Sequence, residues 1–136
     1  MLTIALESFG ATCVYSDEWD KYAQKTYKMN FGEMPDGDIT QVDEKTIPDH
    51  DILCAGFPCQ AFSIIGKQKG FEDNRGTLFF DIARIVRAKK PKVVFMENLK
   101  NFATHDGGKT LNVVKNIMND LGYSFDYNRD CEIVCV

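Results

Sequence analysis

Residues 51–60, DILCAGFPCQ, decide how this chain is expected to fold. The apolar run in their first half has the length of a buried strand, and the glycine and proline that follow predict a turn immediately after it. This turn presents Cys59 just beyond the strand. A second apolar run, at residues 92–96, leads directly into Glu97. Because the carboxyl ends of parallel strands meet at one edge of an open α/β sheet, the thiol and the carboxylic acid are expected at a common site.

Short apolar runs and amphipathic helical patterns alternate along the chain, without repeats or low-complexity segments. This alternation predicts an α/β fold in which a parallel sheet carries helices on both faces. The segment 56–76 lacks apolar periodicity and is expected to be a long loop, a length typical of functional lids. Helices are predicted at residues 2–9, 20–31, 77–88 and 110–121, and strands at 12–16, 37–40, 51–55, 92–96 and 123–127, with 133–136 either a strand or an unpaired end.

The composition indicates one ordinary domain of 136 residues, with 44% hydrophobic and 26% charged side chains. No apolar run has the length of a membrane span, and the first ten residues, which include Glu7, lack the positive region of a secretory signal. A cytoplasmic protein without a membrane partner is therefore expected. Five cysteines without paired C-x-x-C spacing and two histidines argue against a disulfide framework and a zinc site. Cys54 is interpreted as strand core, and no function is assigned to Cys13, Cys131 and Cys135.

The formal charge of −4 is unevenly distributed. Residues 1–60 carry 4 basic and 11 acidic side chains, a net −7, whereas residues 61–136 carry 12 basic and 9 acidic ones, a net +3. Lys67, Lys69 and Arg75 follow the turn that carries Cys59, so a polyanion could approach the thiol from that side. A solvated loop with a basic helix face explains the same cluster equally well.

Each candidate catalytic residue, taken alone, also has a structural interpretation. A single cysteine near a strand, such as Cys59, is most often a packed and inert thiol. Glu97 alone would be expected to cap the next helix or to pair with Lys100. Their combination with the Phe-Pro-Cys-Gln context favours catalysis over these alternatives.

An acidic and aromatic pair marks a second candidate site. Glu18 is expected at the end of a strand, where a carboxylate can accept hydrogen bonds from both ribose hydroxyls of a nucleotide, and Trp19 can stack on adenine. The alternatives are that Glu18 and Asp20 cap the following helix and that Trp19 is a core or surface aromatic residue.

Together, the sequence GFPCQ at residues 56–60 and Glu97-Asn98 resemble the DNA cytosine-5 methyltransferases of restriction–modification systems. The resemblance extends from ALES at residues 5–8 through Glu18-Trp19, GDI at 37–39 and GTL at 76–78 to about Ser124. It implies a Rossmann-like, S-adenosylmethionine-dependent methyltransferase fold. Residues 1–136 would then form part of the catalytic domain, which binds the cofactor and the cytosine.

The resemblance also implies a mechanism. Carbon 5 of cytosine is a poor nucleophile, and addition of the Cys59 thiolate at carbon 6 would give it the enamine character needed to accept a methyl group. Glu97 matches the acid that contacts N3 and the exocyclic amine and stabilises the developing negative charge, and Asn98 is grouped with these two as catalytic. The base would first be flipped out of the duplex, while the loop after the Pro-Cys pair closes over the DNA.

The remaining implied contacts are to the cofactor and to DNA. S-adenosylmethionine would be bound by Glu18, Trp19, Asp38, Ile39, Gly56, Pro58 and Leu78. Double-stranded DNA would be bound by Gln60, Ser63, Lys67, Lys69 and Arg75. No residue is assigned to a metal.

The chain departs from the family at both ends. No Phe-x-Gly-x-Gly precedes Leu2, the likeness fades near Asp126, and the Gln-x-Arg-x-Arg motif and the target-recognition domain do not appear. In the family, the strand missing before Leu2 lies between the ones expected at 12–16 and 51–55. We therefore expect no methyl transfer by this chain alone, and a complementing methyltransferase subunit as a partner. A noncatalytic remnant that binds DNA or a protein, and a thiol redox enzyme, are the alternatives, although no resolving cysteine supports the latter.

Overall fold

The computed structural model describes residues 2–57, 78–98, 102–128 and 132–136. It divides into two compact units, Met1–Pro48 and Asp49–Val136. Apart from its first two residues, the long loop predicted at 56–76 lies outside the described residues. No helix in the described ranges is long and apolar enough to cross a bilayer.

The first unit contains two α-helices, α1 (Leu2–Ser8) and α2 (Lys21–Phe31), which confirms both helices predicted there. Helix α2 begins where the Asp20 carboxylate accepts hydrogen bonds from the backbone N–H groups of Tyr22 and Ala23, at 2.9 and 2.8 Å. Such a cap satisfies donors that have no partner within the helix. The helix ends at Gly32, whose φ of 81° is the left-handed conformation that glycine adopts without strain.

The strands predicted at 12–16 and 37–40 are wrong. The described part of this unit holds one isolated parallel bridge, between Asp17 and Asp36, instead of a ladder. Near Gly37, Asp38 Oδ1 accepts a hydrogen bond from Thr40 N at 3.0 Å, which bends the chain into a 3₁₀ turn at Ile39–Gln41. Short polar side chains compete in this way with extended pairing.

The second unit is built on four strands: β1 (Ile52–Gly56), β2 (Val93–Glu97), β3 (Phe125–Tyr127) and β4 (Glu132–Cys135). They are ordered β1-β2-β4-β3 in the sheet. Helix α3 (Leu78–Lys89) connects β1 to β2, which are parallel, as predicted. Helix α4 (Lys109–Asp120) precedes β3.

The sheet is mixed, which corrects the expectation of a wholly parallel one. Strand β4 is antiparallel to both β2 and β3. Only four residues separate β3 from β4, too few for the crossover that a parallel pair requires. Residues 133–136 were predicted to be either a strand or an unpaired end. Most of them belong to β4, an inner strand, which confirms the strand.

The core of the second unit lies on one face of this sheet. The buried face alternates along β2 and β4, and both helices pack onto it through fully or nearly fully buried side chains: Val94, Met96, Ile133, Cys135, Phe79, Ile82, Val86, Val114 and Met118. Burying one such large apolar side chain is worth roughly 1.5–3 kcal/mol. The core therefore packs β2 and β4 against α3 and α4, with Leu53 and Ala55 of β1 half-buried against it.

Candidate functional site

The carboxyl ends of β1 and β2 lie side by side, as expected from the sequence. The parallel register pairs Gly56 with Glu97. A Cβ placed on Gly56 would lie 3.9 Å from both the carbonyl oxygen and Oε2 of Glu97. The exposed Glu97 carboxylate therefore lies over the end of the strand that leads into Pro58 and Cys59.

A second contact ties these two strand ends together. The Asn98 side chain donates a hydrogen bond from Nδ2 to the carbonyl oxygen of Phe57, at 2.9 Å. The ring of Phe57 is 6% exposed and packs against Phe79 and Phe102, with ring centroids 5.4 and 5.5 Å away. The backbone at the exit of β1 is therefore held by a hydrogen bond and by aromatic packing. Sequence reasoning placed Asn98 at the site but did not identify this partner.

The predicted nucleophile, Cys59, and the expected cofactor contact Pro58 fall outside the described residues, as does Lys100, the alternative partner of Glu97. The same holds for the expected DNA contacts: Gln60, Ser63, Lys67, Lys69 and Arg75. Their assignments remain predictions.

The acidic and aromatic pair of the first unit is on the surface. Trp19 is 79% exposed, which excludes the core interpretation of its ring. It borders an open depression of about 270 Å³ whose other lining residues are Asp20, Lys21 and Tyr22. Glu18 Oε1 accepts a hydrogen bond from Asp20 N at 3.0 Å, whereas Oε2 is not hydrogen-bonded to any described residue. Asp20 caps α2, which confirms the alternative interpretation for that residue.

Asp38 and Ile39 belong to the same unit. Asp38 Oδ1 accepts hydrogen bonds from the backbone N–H and the hydroxyl of Thr40, at 3.0 and 2.8 Å. Its Oδ2 makes no hydrogen bond within the described part of the chain. Ile39 is half-buried.

Asp17 is a member of this acidic group that sequence reasoning missed. Burial, the negative charge of Glu18 and, more weakly, those of Asp38 and Asp36 raise its pKa to about 6, against the lowering effect of a hydrogen bond from the Ile39 N–H. The sequence shows many carboxylates at residues 17–20 and 36–38. It does not show that the two groups lie close together, because this depends on the bridge between Asp17 and Asp36.

The described cofactor candidates of the second unit are Gly56 and Leu78. Gly56 ends β1 beside Glu97. Leu78 is 38% exposed at the first position of α3, so its side chain is accessible for a ligand contact. The remaining described cofactor candidates, Glu18, Trp19, Asp38 and Ile39, are in the first unit.

Three cysteines are described, and all are free thiols. Burial raises the pKa of Cys135 to about 12, and partial burial raises that of Cys54. Cys54 is exposed on the sheet face opposite the core, which corrects its assignment as strand core. Cys13 Sγ lies 3.4 Å from the carbonyl oxygen of Tyr15, to which it donates, and 3.7 Å from the hydroxyl of Tyr27. Within the described ranges no group of side chains could hold a metal ion.

Known proteins resemble this chain in both sequence and fold. The type II methyltransferase M.HhaI of Haemophilus parahaemolyticus is 83% identical over 122 residues, which are 90% of this chain and 37% of the relative. M.SsoII of Shigella sonnei is 59% identical over 115 residues, covering 85% of this chain and 30% of the relative. This chain therefore spans well under half the length of these relatives.

Among solved structures, the fold is similar to a DNMT2 mutant of Spodoptera frugiperda, with a TM-score of 0.69 and 21% identity over 96% of this chain and 44% of that one. Dnmt2 of S. pombe gives a TM-score of 0.66 at 15% identity, over 97% and 45% of the two chains. These likenesses confirm the Rossmann-like methyltransferase fold.

The family itself is shown by sequence. The family model described as C-5 cytosine-specific DNA methylase matches residues 1–129, nearly the whole chain. Enzymes of this family use S-adenosylmethionine. The resemblance found in residues 56–60 and 97–98 is thereby confirmed, and the chain belongs to the C-5 cytosine-specific DNA methylases.

Proposed function

We propose that this chain carries part of the catalytic centre of a DNA cytosine-5 methyltransferase, in which Cys59 attacks a cytosine flipped out of duplex DNA. One observation carries the proposal: the Glu97 carboxylate lies beside Gly56, the last residue of β1. Pro58 and Cys59 follow Gly56 by two and three positions in the sequence. A carboxylic acid and a thiol brought to the same sheet edge suit a reaction that needs both a nucleophile and a group that stabilises charge on the ring.

The proposed chemistry begins with the Cys59 thiolate. Its sulfur adds to carbon 6 of the cytosine, and the ring electrons shift toward carbon 5. Carbon 5 would then take the methyl group from the sulfonium of the cofactor, whose sulfur–methyl bond breaks as the new carbon–carbon bond forms and whose sulfur leaves as a neutral thioether. Loss of the carbon 5 proton to a base and departure of the thiolate restore the aromatic ring and the free cysteine.

Glu97 would stabilise the base during attack. Its carboxyl group would hydrogen-bond N3 and the exocyclic amine, and so disperse the negative charge that the thiolate brings into the ring. The exposure of Glu97 at the carboxyl end of β2 supports this role, because its carboxyl group is accessible to a base from solvent.

The described residues of the first unit fit a nucleoside cofactor. S-adenosylmethionine, when bound, supplies an electrophilic methyl group on its sulfonium. The exposed Trp19 ring beside the open depression would stack on adenine. Glu18 Oε2 would accept hydrogen bonds from the ribose hydroxyls, Asp38 Oδ2 would accept one from the adenine amine, and Ile39 would pack on the adenine ring. Gly56, Pro58 and Leu78 are the cofactor contacts proposed for the second unit.

DNA and a second polypeptide are the proposed partners. Gln60, Ser63, Lys67, Lys69 and Arg75 would contact double-stranded DNA, with the basic residues on its phosphates. The second partner that we propose is a complementing methyltransferase subunit, with which this chain would transfer the methyl group. The reaction is proposed to take place in the cytoplasm.

The test is a complementation assay with radiolabelled S-adenosylmethionine and duplex DNA. The chain alone is expected to transfer no methyl group, and a mixture with the part of M.HhaI that it does not cover is expected to methylate the DNA. Cys59→Ser should abolish this activity, since a hydroxyl is far less nucleophilic toward carbon 6. Cys54→Ser is the matched control and should retain it. Methylation by the Cys59→Ser mixture would contradict the proposal.

Ligand binding gives an independent check. Calorimetric titration with S-adenosylmethionine, run beside circular dichroism, would show whether the chain folds and whether it assembles a cofactor pocket by itself. If the mixture is inactive while Cys59→Ala still binds DNA with unchanged affinity, a noncatalytic DNA-binding role would replace the proposed one.

A further inference from the structure

The hydrogen bond between Asn98 and Phe57 joins two backbone segments that have just left the sheet. Phe57 follows the last residue of β1 and Asn98 follows the last residue of β2. The two residues are 41 positions apart in sequence, and the 2.9 Å bond is made by a side chain at the point where the described ladder ends. It therefore extends the β1–β2 pairing by one contact.

The acceptor gives this bond its importance. The Phe57 carbonyl is part of the planar peptide group that connects Phe57 to Pro58. Holding its oxygen by Asn98 Nδ2, and its ring between Phe79 and Phe102, restricts the rotation of that peptide plane. The direction in which the chain leaves β1 is then set relative to β2, and so relative to Glu97.

We propose that Asn98 is a positioning residue that fixes the exit of the chain from β1 beside Glu97. Its amide donates to the backbone carbonyl of Phe57, and through this contact it would orient the segment that leads to Cys59, a role distinct from the catalytic one expected from sequence. The functional part of this inference depends on the proposed function, because the nucleophile is two residues beyond Phe57.

Three variants separate the hydrogen bond from packing. Asn98→Leu keeps the shape of the side chain but removes the donor, and Asn98→Asp keeps the size while facing the carbonyl with another acceptor. Asn116→Ala, an exposed asparagine of α4, is the control. If Asn98 only fills space, Asn98→Leu should behave like the unmodified chain.

The first readout is amide hydrogen exchange at the strand ends. Loss of one hydrogen bond is expected to speed exchange of the Phe57 and Glu97 amides about fivefold to tenfold in Asn98→Leu and Asn98→Asp, with less than about twofold change at Val94 in the core. Unchanged exchange at the strand ends would overturn the proposal. If both variants fail to fold, the hydrogen bond is tested in the unmodified chain by the NMR scalar coupling between Asn98 Nδ2 and the Phe57 carbonyl carbon. Absence of this coupling would overturn the proposal.

The second readout is the complementation assay. Asn98→Leu is expected to lower kcat by about tenfold or more and to leave KM for DNA within about twofold, since misplacement affects the reacting geometry more than binding. An unchanged kcat together with lost protection would refute positioning while the proposed function stands. If the unmodified chain is inactive in the complementation assay, the proposed function is contradicted instead. The exchange experiment would still test whether Asn98 fixes the strand ends.

Discussion

Cys135 and Cys54 show how burial in and beside the sheet affects a thiol. The pKa of Cys135 is raised to about 12 and that of Cys54 is raised in the same direction, both by removal from water. A cysteine attacks as its thiolate, so the buried Cys135 thiol, with a pKa of about 12, is not a competent nucleophile at neutral pH. Cys135 therefore does not compete with the chemistry proposed for Cys59.

The raised pKa of Asp17 makes the stability of the chain depend on pH. Its pKa of about 6 in the folded chain lies above the ordinary aspartic acid value of 3.8, so the folded state holds the proton more tightly than the unfolded state. The resulting stabilisation is complete below about pH 4 and is lost as the pH rises through 6. Asp17→Asn should thus match the unmodified chain at pH 4 and exceed its stability at pH 8.

The gain is expected to be at most about 1 kcal/mol, because Asp17 is only partly removed from water and enough of its surface stays exposed for solvent to screen the neighbouring charges. Urea denaturation at the two pH values measures it, and the pH 4 comparison serves as the control. A variant that is less stable than the unmodified chain at pH 8 would show that Asp17 is held by favourable contacts.

Helix α2 is stabilised mainly by the residues at its two ends. None of its residues is buried, so its stability depends on its ends more than on packing. The Asp20 cap and the left-handed Gly32 satisfy the terminal backbone groups. These are short-range devices, which is why the helix could be predicted from sequence alone.

Removing the cap tests this account of α2. Asp20→Ala is expected to destabilise the helix by about 0.5–2 kcal/mol, because the N–H groups of Tyr22 and Ala23 lose their acceptor. Circular dichroism at 222 nm across a thermal scan would measure the loss. Lys21→Ala, an exposed change in the same turn, should shift stability by less than about 0.5 kcal/mol. Equal effects of the two changes would argue against the cap.

At the scale of the whole molecule, the two units differ in how much they bury. Among residues 4–48 only Pro35 and Ile47 are buried, whereas the second unit contains a continuous core between its sheet and two helices. Local stability follows buried apolar contacts and protected backbone hydrogen bonds. The second unit is therefore the more stable part of the chain.

Hydrogen exchange of the whole chain would test that difference. Amides of β2 and β4 are expected to exchange about 100-fold or more slowly than those of α2, since opening the core strands requires global unfolding. Mass spectrometry of peptides after deuterium labelling resolves the two units. Equal protection in α2 and in β2 would show that the first unit is stabilised to the same extent as the core.

The sequence by itself determined α1–α4, β1, β2, the residues at their ends and the family, because caps, apolar periodicity and the GFPCQ and Glu97-Asn98 motifs are local patterns. The tertiary structure decided the features that need a partner far along the chain. Residues 12–16 form no strand because no described segment pairs with them along their length. Strand β4 lies between β2 and β3, an order that the sequence does not show. The Asp17 pKa and the Asn98–Phe57 bond likewise depend on groups brought together only by folding.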